Sequence, residues 1–328
     1  MLYVKLLKAI YGLLRSALLF YNKLSGNLIS QGFELNPYDP CVANKMVNGS
    51  QFTVLWHVDD LKISHLQESE LDKFIEHIKK NYQDDNIGKV KTSRGKVHLY
   101  LGMQLDFSVD GEVRITMVDY IDRMLQEYTG KIKNKVYTPA ALHLFKVREE
   151  GDEILLDEDT ASKFHTVVAQ GIFLCKRARP DIQLTVAFLT TRVKQPDTDD
   201  LEKLNRLMGY LKYSRNLPLI LSADDDKIIK WWVDASYATH PDFSSHTGAT
   251  MSLGKGAVWS VSKKQRLNTT SSTESELVAT YDAMPYIIWM NYFLEAQGYG
   301  TNSTVVYQDN KSAILLEING KASSSKRT

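Results

Sequence analysis

Two apolar, β-prone runs, Phe52-Thr53-Val54-Leu55-Trp56 and Leu61-Lys62-Ile63-Ser64, flank the tetrapeptide His57-Val58-Asp59-Asp60. So short a polar break between such runs leaves little choice but strand, tight turn, strand. The turn then carries two adjacent carboxylates at its tip. At about 5 Å, with an effective dielectric of roughly 20, two such charges repel by ~3 kcal/mol. A turn selected for shape alone favours Asn-Gly or Asp-Gly, whereas an acid pair suits a place where a cation sits. A solvated Asp-Asp turn fits the same residues, because Asp is common in turns.

The rest of the chain alternates between helical and strand periodicity, which predicts an α+β fold. Apolar residues at helical spacing over residues 6–32 predict one helix, bent near Gly12. Residues 68–82 form an amphipathic pattern with Leu71, Phe74, Ile75 and Ile78 on one face. Val97–Phe107 and Val113–Met117 alternate like strands around a turn at Asp110-Gly111, and Tyr120–Tyr128 reads as a short helix. Residues 130–160 pass from lysines through Thr138-Pro139 to an acidic run, the pattern of a linker. Helical spacing returns over 161–214, broken at Arg179-Pro180-Asp181 and at Gln195-Pro196. From Ile228 the pattern becomes compact α/β. Strands are expected at Ile228–Val233, Gly248–Leu253, Ala257–Val261 and Val305–Gln308. A long helix is expected over Thr273–Gly298, kinked at Pro285, and Asn310–Leu316 opens another.

Composition excludes several classes. The formal net charge is +1, so attraction to nucleic acid has to rest on local patches. The two cysteines, Cys41 and Cys175, are far apart, which rules out a disulfide scaffold and a cysteine zinc site. No apolar run reaches membrane-spanning length. A soluble intracellular protein without a membrane partner is the expectation.

The last segment holds a second set of acids. Asp234 closes the strand Trp231-Trp232-Val233, Glu276 falls in the first turns of the long helix, and Asp309 ends the strand Val305–Gln308. Acids at the ends of neighbouring strands and on a covering helix can converge at one sheet edge. Such oxygen clusters suit Mg²⁺ or Mn²⁺, and two ions about 4 Å apart can drive phosphodiester cleavage. Structural roles compete. Glu274 fits a helix-start carboxylate, Glu276 could be the same, and Asp309 could cap the following helix. Lys263-Lys264-Gln265-Arg266, ahead of Asn268-Thr269-Thr270-Ser271-Ser272, could grip phosphates as a cation-then-hydroxyl loop or be a solvated loop.

These residues carry a resemblance. Lys8-Ala9-Ile10-Tyr11-Gly12-Leu13, Phe20-Tyr21, Gly32-Phe33, Asp39-Pro40-Cys41 and His57-Val58-Asp59-Asp60 resemble the palm of copia-type retrotransposon reverse transcriptases. Tyr100-Leu101-Gly102-Met103 and Ala178-Arg179-Pro180-Asp181-Ile182 look like later segments of the same family. Val233-Asp234-Ala235, Ser271-Ser272-Thr273-Glu274-Ser275-Glu276-Leu277 and Tyr307-Gln308-Asp309-Asn310-Lys311-Ser312-Ala313-Ile314 are similar to its ribonuclease H domain. The motifs run in order over nearly the whole chain.

The resemblance implies three regions: a partial reverse transcriptase palm over 1–130, a linker with thumb- or connection-like helices over 131–226, and a ribonuclease H-like mixed α/β domain over 227–328. It implies metal-binding and catalytic roles for Asp59, with Asp60 beside it, and for Asp234, Glu276 and Asp309. Tyr11 and Gly12 would face template and nucleotide; the loop chemistry, and not the resemblance, is what puts Lys263, Lys264 and Arg266 forward as nucleic-acid contacts. The implied chemistry is RNA-directed DNA synthesis and hydrolysis of RNA in an RNA–DNA hybrid, with Mg²⁺ or Mn²⁺, in the cytoplasm, a particle or the nucleus.

Departures temper this. His57 stands where the family has Tyr, and Arg15-Ser16-Ala17-Leu18 replaces a Gln-Ser/Ala-Pro-Arg stretch. The palm's other metal-binding Asp would precede Met1, and the last ribonuclease H acid would follow Thr328. Primer-template and dNTP use would then need the missing palm and fingers from elsewhere, leaving weak ribonuclease H activity as the expected chemistry. The alternative is a remnant that binds nucleic acid or a protein partner without chemistry.

Overall fold

A computed structural model describes residues 12–83, 88–149 and 151–320. The described residues are α+β and form three sheets distributed over two compact units. One unit comprises residues 1–94 and 289–300, the other residues 95–288 and 301–328.

In the first unit, helix α1 (Leu14–Ser30) precedes an antiparallel meander: β1 (Glu34–Asn36), β2 (Asp39–Val47), β3 (Ser50–His57) and β4 (Asp60–Ser64). Helix α2 (Glu68–Tyr82) follows, as its amphipathic pattern requires. Alternation along β3 buries Phe52, Val54 and Trp56 on one face, where they join Leu24 and Leu28 of α1 and Phe74 and Ile78 of α2 in one core. Phe33 meets Phe52 and Phe74 edge-on at ring-centroid distances of 5.4 and 5.7 Å. Asn44 and Thr53 belong to a polar network completed by residues 289–300. Gln297 Oε1 accepts from Asn36 and Asn44, Asn44 Oδ1 accepts from Gln51 and Thr53, and Trp289 Nε1 donates to the Tyr38 carbonyl.

The single helix expected over 6–32 is corrected at its start. Gly12 sits at φ +90° in a turn ahead of α1, and residues 6–11 lie outside the described residues.

The second unit holds two sheets. In the first, β5 (Val97–Tyr100), β6 (Met103–Asp106), β7 (Val113–Thr116), β8 (Leu219–Ala223) and β11 (Gly254–Lys255) pair antiparallel in the order β11-β8-β7-β6-β5. The strand expected at Val97–Phe107 is thus a hairpin, because Leu101 and Gly102 both take positive φ and turn the chain. Helices α3 (Val118–Glu127), α4 (Glu158–Cys175), α5 (Gln183–Thr190) and α6 (Thr198–Tyr213) supply most of the adjoining core, with a 3-10 turn at Pro180–Ile182.

That turn is pinned by Arg179, which is only 2% exposed. Its guanidinium donates two parallel bonds to Asp181 and two more to Ser214, while Tyr210 donates to Asp181. Burial pushes the Asp181 carboxyl up, but the Arg179 bonds and charge outweigh it and hold the group below the usual carboxylate range. The irregular stretch between α3 and α4 is packed, not free: Val136 and Leu144 are buried in the same core.

The last sheet has the order β12-β10-β9-β13, formed by β9 (Ile228–Ser236), β10 (His246–Ser252), β12 (Trp259–Lys264) and β13 (Ser303–Tyr307). Its edge pair β9–β13 is parallel and its other pairs are antiparallel. Ile229, Trp231 and Val233 of β9 are buried, and Trp231 packs on Trp259, which meets Tyr286 of helix α7 (Ser272–Ala296). Small buried residues Ala279 and Ala283, with Ile287, line the inward side of α7. Pro285 and Tyr281 are exposed, so the carbonyl that loses its helical donor lies on the solvent side and α7 continues through the proline. Helix α8 (Lys311–Asn319) follows β13. Among the described residues no helix is long and apolar enough to cross a membrane.

Candidate metal centre

β9 and β13 run parallel, so their carboxyl ends lie side by side. Acids placed there by two different strands converge without any further device. Asp234 belongs to β9, which extends two residues beyond it to Ser236, and Asp309 follows β13 by two residues. Directly across from Asp234 on β10 stands Gly248, which has no side chain to crowd it. Glu276 enters from the second turn of α7. The three side chains each offer a carboxylate oxygen, and these oxygens lie within 4.8 Å of one another. Asp234 and Asp309 are exposed, while Glu276 is only 5% exposed.

The competing structural roles are resolved by hydrogen bonds. Glu274, not Glu276, serves the helix start: its Oε2 accepts from Thr270 N and Oγ1 at 2.6 and 2.7 Å, and its own N–H donates to Ser271 Oγ at 3.2 Å. The cap of α8 is Asn310, whose Oδ1 accepts from Ala313 N at 3.0 Å, so Asp309 is not the cap. Glu276 accepts from Gln308 Nε2 at 3.1 Å. Burial raises its carboxyl above the usual range. The Gln308 and Ala235 hydrogen bonds oppose that rise, and the charges of Asp234 and Asp309 add to it. A buried carboxylate facing two like charges is the electrostatic setting that a bound cation relieves.

Three hard carboxylate oxygens match the donor preference of Mg²⁺ or Mn²⁺ and not of a thiolate-seeking metal. The residues present therefore fit such an ion.

The first acid pair is placed differently. His57 pairs with Asp60 across the β3–β4 hairpin, with Val58 and Asp59 as its two-residue loop. All four residues are exposed. Val58 adopts φ +54°, the left-handed region that a β-branched residue rarely enters. Among the described residues, Asp59 and Asp60 gather no third His, Cys, Asp or Glu into a ligand group.

The basic residues are largely engaged. Lys263 and Lys264 lie within β12 instead of in a loop after it. Lys263 pairs with Asp282 at 3.1 Å and Lys264 with Asp242. Gln265 is buried, with Nε2 donating to Thr247 Oγ1 and the Ser275 carbonyl. Arg266 is exposed and, among the described residues, has no ion-pair partner within 4 Å. Gly12 is exposed, and Tyr11 lies outside the described residues. Sequence reasoning did not single out Gln308 for the acid site. Its place immediately before Asp309 was the available signal.

Comparison with known proteins gives consistent relationships. Residues 2–142 match the family model described as reverse transcriptase (RNA-dependent DNA polymerase). The chain is 26% identical over 320 residues to a retrovirus-related Pol polyprotein from transposon TNT 1-94 of Nicotiana tabacum, a match covering 96% of this chain and 24% of the relative. It is 24% identical over 276 residues to a putative transposon Ty5-1 protein of Saccharomyces cerevisiae, covering 84% of this chain and 86% of the relative. It is 22% identical over 302 residues to the transposon Ty1-LR2 Gag-Pol polyprotein of the same yeast, covering 89% of this chain and 17% of that protein. The chain thus spans about a quarter of the length of the first of these relatives.

Proposed function

We propose, from the premise that this chain is a relative of copia-type retrotransposon Pol polyproteins, that its residues 227–320 act as a ribonuclease H-like nuclease on the RNA strand of an RNA–DNA hybrid. The observation that carries this reading is the convergence of Asp234, Glu276 and Asp309 from three separate elements to within 4.8 Å. Those three side chains would hold Mg²⁺ or Mn²⁺. When bound, such an ion supplies Lewis acidity that makes water a better nucleophile and stabilises charge on a departing oxygen. Asp234 and Asp309 are exposed, so a phosphodiester can reach them, while Glu276 is fixed from behind by Gln308 and the Ala235 backbone.

Asp59 and Asp60, by the same reading, descend from a polymerase palm. The described residues bring no third acid to them, so nucleotide addition would draw on groups beyond these residues. A role limited to binding nucleic acid would rest, in this stretch, on exposed Arg266, because Lys263 and Lys264 are engaged with carboxylates.

The test is incubation of the chain with labelled RNA–DNA hybrid and Mn²⁺ beside an Asp234→Asn control. Cleavage by the wild-type chain and its loss in the variant are expected. Equal traces from both would sink the reading.

A further inference from the structure

Gln308 follows β13 directly and divides its amide between two partners. Its Oε1 accepts the Asn310 N–H at 3.0 Å, and its Nε2 donates to Glu276 Oε2 at 3.1 Å. The first bond settles the second. With the oxygen occupied by a backbone donor, the amide can only turn its nitrogen toward Glu276. Asn310 is itself immobilised, because its side chain caps α8 through the Ala313 N–H. A chain of hydrogen bonds therefore runs from the start of α8 through Gln308 to the one buried acid of the cluster.

Without this donor, buried Glu276 would keep the Ala235 backbone bond while facing the charges of exposed Asp234 and Asp309. Its carboxylate would be free to rotate away from them. We propose that Gln308 is a positioning residue that orients Glu276 for holding a divalent cation between Glu276, Asp234 and Asp309. This inference rests on the reading of the three acids as an ion site. Residues that orient a ligand from behind typically set metal affinity by tenfold or more.

Mn²⁺ binding to the full chain, followed by the loss of the free-ion electron paramagnetic resonance signal, tests it without reference to activity. Gln308→Met and Gln308→Leu, which lack the N–H donor, are expected to bind Mn²⁺ about tenfold more weakly than wild type, with metal-free circular dichroism and melting unchanged. Gln308→His, which retains a ring donor, should bind more tightly than Gln308→Met. Binding by Gln308→Met within about twofold of wild type, with Asp234→Asn impaired in the same assay, overturns the role of Gln308 and leaves the ion site standing. An absence of saturable binding by wild type overturns the ion site and this inference together. Loss of the metal-free fold in every Gln308 variant also overturns it, since the residue would then be a structural prop.

Discussion

His240 Nε2 and His246 Nδ1 lie 3.0 Å apart inside the second unit, and His246 Nε2 is 2.7 Å from Ser262 Oγ. Both imidazoles are buried, and Phe145 and Phe188 pack on them. Burial lowers the His246 pKa to about 4, with the neighbouring His240 adding to the effect. Burial also lowers that of His240, where nearby Lys264 pushes down and Asp242 pushes up.

Acid should therefore loosen this region. A histidine whose folded pKa lies below its unfolded value of about 6.5 contributes its full stability above that pH. The contribution is lost as pH falls from about 6.5 toward 4, and for His246 it amounts to at most about 3 kcal/mol. Urea unfolding at pH 7.5 and pH 5 should show the loss, and His246→Gln should flatten the difference. An unchanged pH dependence in the variant would contradict the assignment.

Gly209 in α6 should resist replacement by alanine. A Cβ there would stand 2.4 Å from the Lys133 carbonyl oxygen and 2.9 Å from Val136 Cγ2. An ordinary helical glycine gains about 1 kcal/mol from this change. Here overpacking should cost about 1–3 kcal/mol instead. A rise in the melting temperature of Gly209→Ala would show that the stretch around Lys133 is not held against the helix.

Val58→Gly should tighten the β3–β4 hairpin or leave it unchanged. Holding an L-residue at φ +54° costs about 1–2 kcal/mol, and the added freedom of glycine in the unfolded chain returns roughly 0.4–1. Amide exchange at Leu55 and Lys62 reports on this directly. Faster exchange in the variant would mean that the valine side chain stabilises the turn by more than its backbone strains it.

Legibility followed the strength of local signals. Helix α2 and the Asp59–Asp60 hairpin were readable because period and turn spacing agree with the final packing. β2 was not, since it opens with Asp39-Pro40 and carries Asn44 on a face that answers to Gln297, some 250 residues away in the chain. The Leu101-Gly102 turn was hidden because leucine gives no warning of positive φ. The three acids of the site were named from strand ends and a helix start. Their convergence depends on β9 and β13 being parallel neighbours, which periodicity does not reveal. The lysines of β12 looked like a phosphate grip only until their partners Asp282 and Asp242 were in view. Gln308 acquires meaning only once Glu276 is beside it.

The most direct measurement is cleavage of an RNA–DNA hybrid labelled separately on each strand, with Mn²⁺, by the wild-type chain and by Glu276→Gln. The expected result is cutting of the RNA strand alone by wild type, reduced at least a hundredfold in the variant, an effect of about 2.7 kcal/mol on the barrier. Equal cutting of both strands, or cutting that survives Glu276→Gln, would contradict a nuclease centre built on Asp234, Glu276 and Asp309.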